Sequence, residues 1–188
     1  MAANYQIKTI NGYDFFEASS AFQKAIRRGE EDEAMFWMVE IHKSGYAKYL
    51  WKRIIIIASE DVGLGDPDVI VRIMALKQSY DYLVKEQNTH NAEILPFIQA
   101  ALTLIRAKKS RFIDLAYAVY WRNHLEQLGT KTVPDYALDC HTRKGKKMGR
   151  GDVHFYEEGA VINNANLVER EAEFLEIEIE YSKKADSR

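Results

Sequence analysis

Cysteine is almost absent from this sequence. Cys140 stands alone, which excludes an intramolecular disulfide framework and an all-cysteine zinc site and fits a reducing compartment, read here as the cytoplasm. Proline occurs three times and glycine ten times in 188 residues, so few breaks interrupt the longer apolar patterns. No uncharged apolar run reaches the roughly 18 to 20 residues that cross a bilayer, and no membrane partner is expected. The opening MAANYQIKTINGYD has no basic region leading into an apolar core, so no secretory signal is expected either. A phosphate-binding loop is missing as well. Gly63-Leu64-Gly65 runs into Asp66-Pro67, with no Gly-Lys-Ser/Thr and no third glycine at dinucleotide spacing, so no nucleotide cofactor is expected. Charge of one sign is not in excess, since 26 Lys and Arg face 28 Asp and Glu for a net of -2. No internal repeat is visible.

What is present is enough apolar residue, 47%, for one ordinary core. Most apolar positions step by three and four, which predicts an all-α fold. A first helix opens near Asp14, places Phe15, Ala18, Phe22 and Ile26 on one face, and stops at Gly29. A second starts in the acidic cluster Glu30 to Glu33, which suits the positive end of a helix dipole, and runs through Phe36, Trp37 and Ile41. The third, from Ala47, is apolar on every side over Ile54 to Ile57 and belongs at the centre of the domain. Asp66 and Pro67 read as N-cap and first residue of a fourth helix carrying Ile70, Ile73, Met74, Tyr80 and Leu83. A fifth, 92–106, points Leu95, Ile98, Leu102 and Ile105 inward, and a sixth, 110–128, buries Leu115, Val119 and Leu125.

After Gly129 the character changes. The expected organisation is an N-terminal extension over 1–12, a helical domain over 13–128, a glycine-rich basic arm packed on it over 129–166, and an acidic segment over 167–188. In that last segment Leu175, Ile177 and Ile179 alternate with glutamates as in a strand, while Leu167, Phe174 and Leu175 admit a helix. The helix is preferred.

Charge gives the main functional lead. Arg143, Lys144, Lys146, Lys147 and Arg150 put five cations into eight residues on a glycine-flexed segment, and Lys and Arg release counterions from nucleic acid without reading its sequence. A second cluster, Arg106, Lys108, Lys109 and Arg111, lies at a helix junction. These residues are the candidate nucleic-acid contacts. A solvated loop, or one paired with the acidic C-terminal segment, are the plainer readings. Asp139, Cys140, His141, His154 and Glu157 are acceptable metal-ligand types, but three adjacent residues do not converge easily on one ion, so no metal site is expected. A metal-dependent hydrolase built on Asp139, His141, His154 and Glu157 is the remote alternative. Glu60 and Asp61 read as structural acids at a helix end near Lys52 and Arg53 rather than as an acid/base pair.

Tyr46 to Pro67, YAKYLWKRIIIIASEDVGLGDP, resembles a block in the C-terminal region of the replication-associated recombination protein A (MgsA) family, whose eukaryotic relatives are the Werner-helicase-interacting proteins. Its specific part is the signature Ala58, Ser59, Glu60, Asp61, Val62, Gly63, Leu64, Gly65, Asp66, Pro67. SAFQKAIR at 20–27, DEAMFW at 32–37 and AKKS at 107–110 resemble further family patterns, and the similarity covers residues 13–125. In that family this region follows a clamp-loader-type ATPase domain and forms a helical collar that assembles tetramers. The resemblance therefore implies a non-enzymatic, collar-like, oligomerising module without its own ATPase domain, linked to DNA replication, recombination or repair. Its implied partners are further copies of itself (a tetramer), DNA, and a separate ATPase or replication protein. An adaptor for such a partner is the alternative to DNA association.

Overall fold

The computed structural model describes residues 7–86, 90–123, 129–163 and 169–186, and among these it is helical, with one isolated bridge between Lys8 and Asp14 and no strand. The chain divides into two compact units, Met1–Leu128 and Gly129–Arg188.

The first unit holds α1 (Phe15–Arg28), α2 (Glu31–Lys43), α3 (Ala47–Ile57), α4 (Val69–Lys85), α5 (Ile94–Arg106) and α6 (Phe112–Ala116). Two helices do not end where their regular turns do, since α3 widens into a π turn over Ala58–Val62 and α6 into another over Tyr117–Arg122. Asp14 caps α1 by accepting from the amides of Phe16 and Glu17, and Gly29 closes it in the left-handed region. Phe15, Ala18, Phe22 and Ile26 are buried as their spacing predicts. Ile54 and Ile57 of α3 are fully buried with Leu50 and Trp51, which puts that helix in the core. Ahead of α1, a turn over Thr9 to Tyr13 is held by the buried Glu40, which accepts from the Asn11 amide at 3.0 Å and the Asn11 side chain at 2.5 Å. Burial would raise the Glu40 pKa, but hydrogen bonds from Thr9 and Asn11 together hold it below the usual value.

Several faces differ from the sequence reading. In α2 the core takes Ala34, Met38 and Ile41, while Phe36 is exposed. In α5 it takes Phe97, Ala100, Ala101, Leu104 and Ile105, and Leu95 faces out, a rotation of about one residue from the expected face. Pro96 lies in the first turn, where its missing N–H costs nothing. Asp66 does not cap α4, because its carboxylate pairs with Arg72 and only its backbone carbonyl accepts from Val69. The largest departure is α6: Leu115 and Val119, expected inside, are 59% and 41% exposed. Leu125 lies outside the described residues.

The second unit, expected as a glycine-rich basic arm and an acidic segment, has short helical elements and one longer helix among its described residues. It contains a single turn at Asp135–Ala137, α7 (Arg143–Lys147), α8 (Asp152–His154) widening over Phe155–Gly159, and α9 (Glu171–Asp186). The ambiguous final segment is a helix. Its alternation fails as a strand because Ser182 is buried and Ile179 half-buried on one helical face, against α8 and the turn that follows it.

Candidate nucleic-acid interface

The basic segment of the second unit is shaped by three residues. Thr142 caps α7 by accepting from the Gly145 amide at 3.0 Å, while its own hydroxyl donates to the Asp139 carbonyl at 3.1 Å. Gly145 lies against that same backbone so closely that a Cβ would sit 1.9 Å from the Asp139 oxygen. Arg150 turns back under the loop, donating to the carbonyls of Asp135 and Leu138 at 2.9 and 2.8 Å and to both carboxylate oxygens of Asp135 at 2.8 and 2.7 Å. That bidentate contact is the main reason the Asp135 carboxyl is held below its usual pKa. Arg150 is thus an internal strut. Arg143, Lys144, Lys146 and Lys147 are exposed, and none is ion-paired among the described residues.

The second cluster is mostly engaged within its own unit. Arg106 makes a bidentate pair with Glu31 at 3.0 and 2.9 Å. The Lys109 ammonium donates to the carbonyls of Ile105 and Ala107 at 2.7 and 2.9 Å, closing the end of α5. Arg111 pairs with Asp114 and leans toward Asp61 at 3.7 Å. Only Lys108 of the candidate contacts here is exposed without an ion pair among the described residues.

The signature segment builds a buried joint. Asp61 is fully buried, its carboxylate accepting from Gln23 at 2.8 Å and from the Arg27 guanidinium at 2.5 Å, while Glu60 accepts from Arg27 at 3.3 Å. The Ser110 amide donates to the carbonyls of Asp61 and Val62, both at 3.1 Å, so the α5–α6 junction is stitched onto the π turn. Gly65 permits that approach, since a Cβ there would meet the Lys108 oxygen at 2.6 Å. The acids pair within their own unit, and their partners are Arg27 and Arg111 rather than Lys52 and Arg53. Gln23 and Arg27, one helical turn apart, are the residues that sequence reasoning left unassigned. Their spacing in SAFQKAIR was the available signal.

The remote alternative finds little support in the geometry. His141 Nδ1 lies 3.4 Å from both Asp139 and Cys140, Glu157 pairs with Lys183 at 3.1 Å, and no three candidate ligands converge among the described residues. Burial first, then the charges of Asp152 and Asp139, push the Cys140 thiol up, which disfavours a thiolate nucleophile.

Residues 29–183 match the family model of the MgsA AAA+ ATPase C-terminal region. The chain belongs to this family. It is 28% identical over 146 residues to the ATPase WRNIP1 of Dictyostelium discoideum, covering 77% of this chain and 16% of that protein. Replication-associated recombination protein A of Bacillus subtilis is 26% identical over 142 residues, covering 75% of this chain and 32% of that protein, and its Escherichia coli K12 counterpart is 28% identical over 151 residues, covering 77% and 31%. The chain thus spans a sixth to a third of the length of these relatives. The match to the MgsA C-terminal region runs well past residue 125 and takes in α7, α8 and most of α9, so the second unit is part of the family's domain. The SAFQKAIR block lies ahead of the matched range, although Gln23 and Arg27 complete the joint that the signature builds. No helix among the described residues is long and apolar enough to cross a membrane.

Proposed function

We propose that this chain is a non-enzymatic, self-assembling module that attaches to DNA in replication or recombination, working in the cytoplasm beside an ATPase activity carried elsewhere. The observation that carries the DNA reading is the α7 turn, where four exposed cations project from a backbone fixed by Thr142, Gly145 and Arg150. Such an array neutralises phosphates without contacting base edges, which suits a protein that must ride on any sequence. Anisotropy of a labelled duplex and of a matched single strand tests it. Duplex affinity should fall with salt at a log-log slope of about -3 to -4 for four phosphate contacts, and Lys144→Gln/Lys146→Gln/Lys147→Gln should reduce that slope to about -1. Binding that is absent, or unchanged in the variant, ends the reading.

Self-assembly is supported by α6 and its π turn. Phe112, Leu115, Tyr117, Tyr120 and Trp121 are each more than half exposed, Trp121 reaching 76%. A helix apolar on every side is ordinarily buried, which makes a second copy the fitting cover. The early helices, by contrast, turn their apolar faces into the core of their own unit. In light scattering the chain should run as a multimer near the four subunits that the family resemblance implies, and Leu115→Glu/Trp121→Glu should lower the mass while circular dichroism stays unchanged.

A further inference from the structure

The outer face of α9 is exposed. Phe174, Ile177 and Tyr181, spaced three and four apart, form one stripe and are 55%, 55% and 69% exposed. Exposed Glu178 and Glu180 border it and exposed Glu176 lies further round the helix, while the opposite face packs on α8 and the Lys183–Glu157 pair ties down the C-terminal end. Pairing two such faces would bring glutamates against glutamates, which is costly. The complementary surface within the same unit is α7, with Arg143, Lys144, Lys146 and Lys147 exposed and Met148 beside them 47% exposed. Both surfaces are open in one chain, so they do not cover one another there. We infer that α9 of one copy docks on α7 of a second copy, its glutamates on the cations and its aromatic stripe against the Lys and Arg stems. Arg170, just ahead of α9, already places its guanidinium 4.6 Å from the centre of the Phe174 ring.

The contact is heterologous, joining different surfaces of two copies, and so propagates into a ring or a chain. It also uses the cations assigned above to DNA. Docking of α9 and binding of DNA are therefore mutually exclusive, a competition that rests on the DNA reading, whereas the docking itself does not.

Two charge reversals test the docking without DNA, in the full chain carrying Leu115→Glu/Trp121→Glu. One is Glu176→Lys/Glu178→Lys/Glu180→Lys, the other Lys144→Glu/Lys146→Glu/Lys147→Glu. The background itself, with α7 and α9 intact, should stay associated at low salt, each reversal alone should fall to the monomer mass, and their mixture should associate again, because each supplies the surface that matches the other. A mixture that keeps the masses of its parts overturns the docking. For the competition, Glu176→Gln/Glu178→Gln/Glu180→Gln should tighten binding of the labelled duplex by about three- to tenfold at low salt. The control Glu17→Gln/Asp32→Asn/Glu86→Gln removes the same charge from exposed positions of the first unit. Equal tightening by both sets overturns the competition. A chain that binds no duplex in any form defeats the DNA reading alone and leaves the mixing result standing.

Discussion

Asp61 sits without solvent exposure between Gln23 and Arg27, so Asp61→Ala leaves the Gln23 amide and the Arg27 guanidinium facing a void, while the Asp61 backbone carbonyl that accepts from Ser110 remains. Breaking a buried pair from one side costs about 3 to 5 kcal/mol, and since Arg27 is 29% exposed the lower end applies. Urea unfolding of the full chain should show that loss as a lower midpoint. His42 gives a second residue-scale test. Its ring packs edge-on against Phe97 at 5.1 Å, and burial holds its pKa below the usual 6.5, opposed in part by attraction to Glu93. The unfolded chain therefore takes up this proton first, so stability is full above pH 6.5 and declines as pH falls toward the lower folded value. The urea midpoint should drop between pH 7.5 and 5.5, and His42→Gln should flatten that dependence. Glu40, also held low, adds a further loss only below about pH 4.5.

Among elements, α7 depends most on one small residue. Gly145→Ala would place a methyl group 1.9 Å from the Asp139 oxygen, a backbone atom that cannot yield cheaply, so the cationic turn must lift away from residues 138–139. Trypsin should then cut within 143–150 markedly faster than in the parent chain, while the helices of the first unit keep their signal. Helical spacing placed α1 and α3 correctly because their faces meet a full core. It failed at α5 by one residue because Leu95 and Phe97 are equally apolar, and only packing against Trp51, 4.3 Å from Phe97, decides which turns inward. At α6 it failed outright. Periodicity identifies an apolar face but not what covers it, and here the cover is not the helix's own core.

For the whole molecule, the proposed reading has α6 joining copies and α7 meeting DNA, so an assembly carries several linked DNA sites. Linked sites raise effective concentration, so dissociating α6 with Leu115→Glu/Trp121→Glu should weaken binding to a long duplex by at least about tenfold while leaving a short one, too small for two copies, nearly unaffected. Anisotropy with duplexes of two lengths checks this. The amino-acid sequence by itself determined the helical class, the faces of α1 and α3, and membership of the MgsA C-terminal family, because those follow from local spacing and from a contiguous signature. Tertiary structure alone decided which charges are available. Arg150, Arg106, Lys109 and Arg111 look identical in the sequence to Arg143, Lys144, Lys146 and Lys147, yet among the described residues the first four are drawn into carboxylates or carbonyls and the second four are not. A cation's role depends on which acceptor lies within about 3 Å of it in space, and sequence separations of up to 75 residues between partners hide that from any local reading.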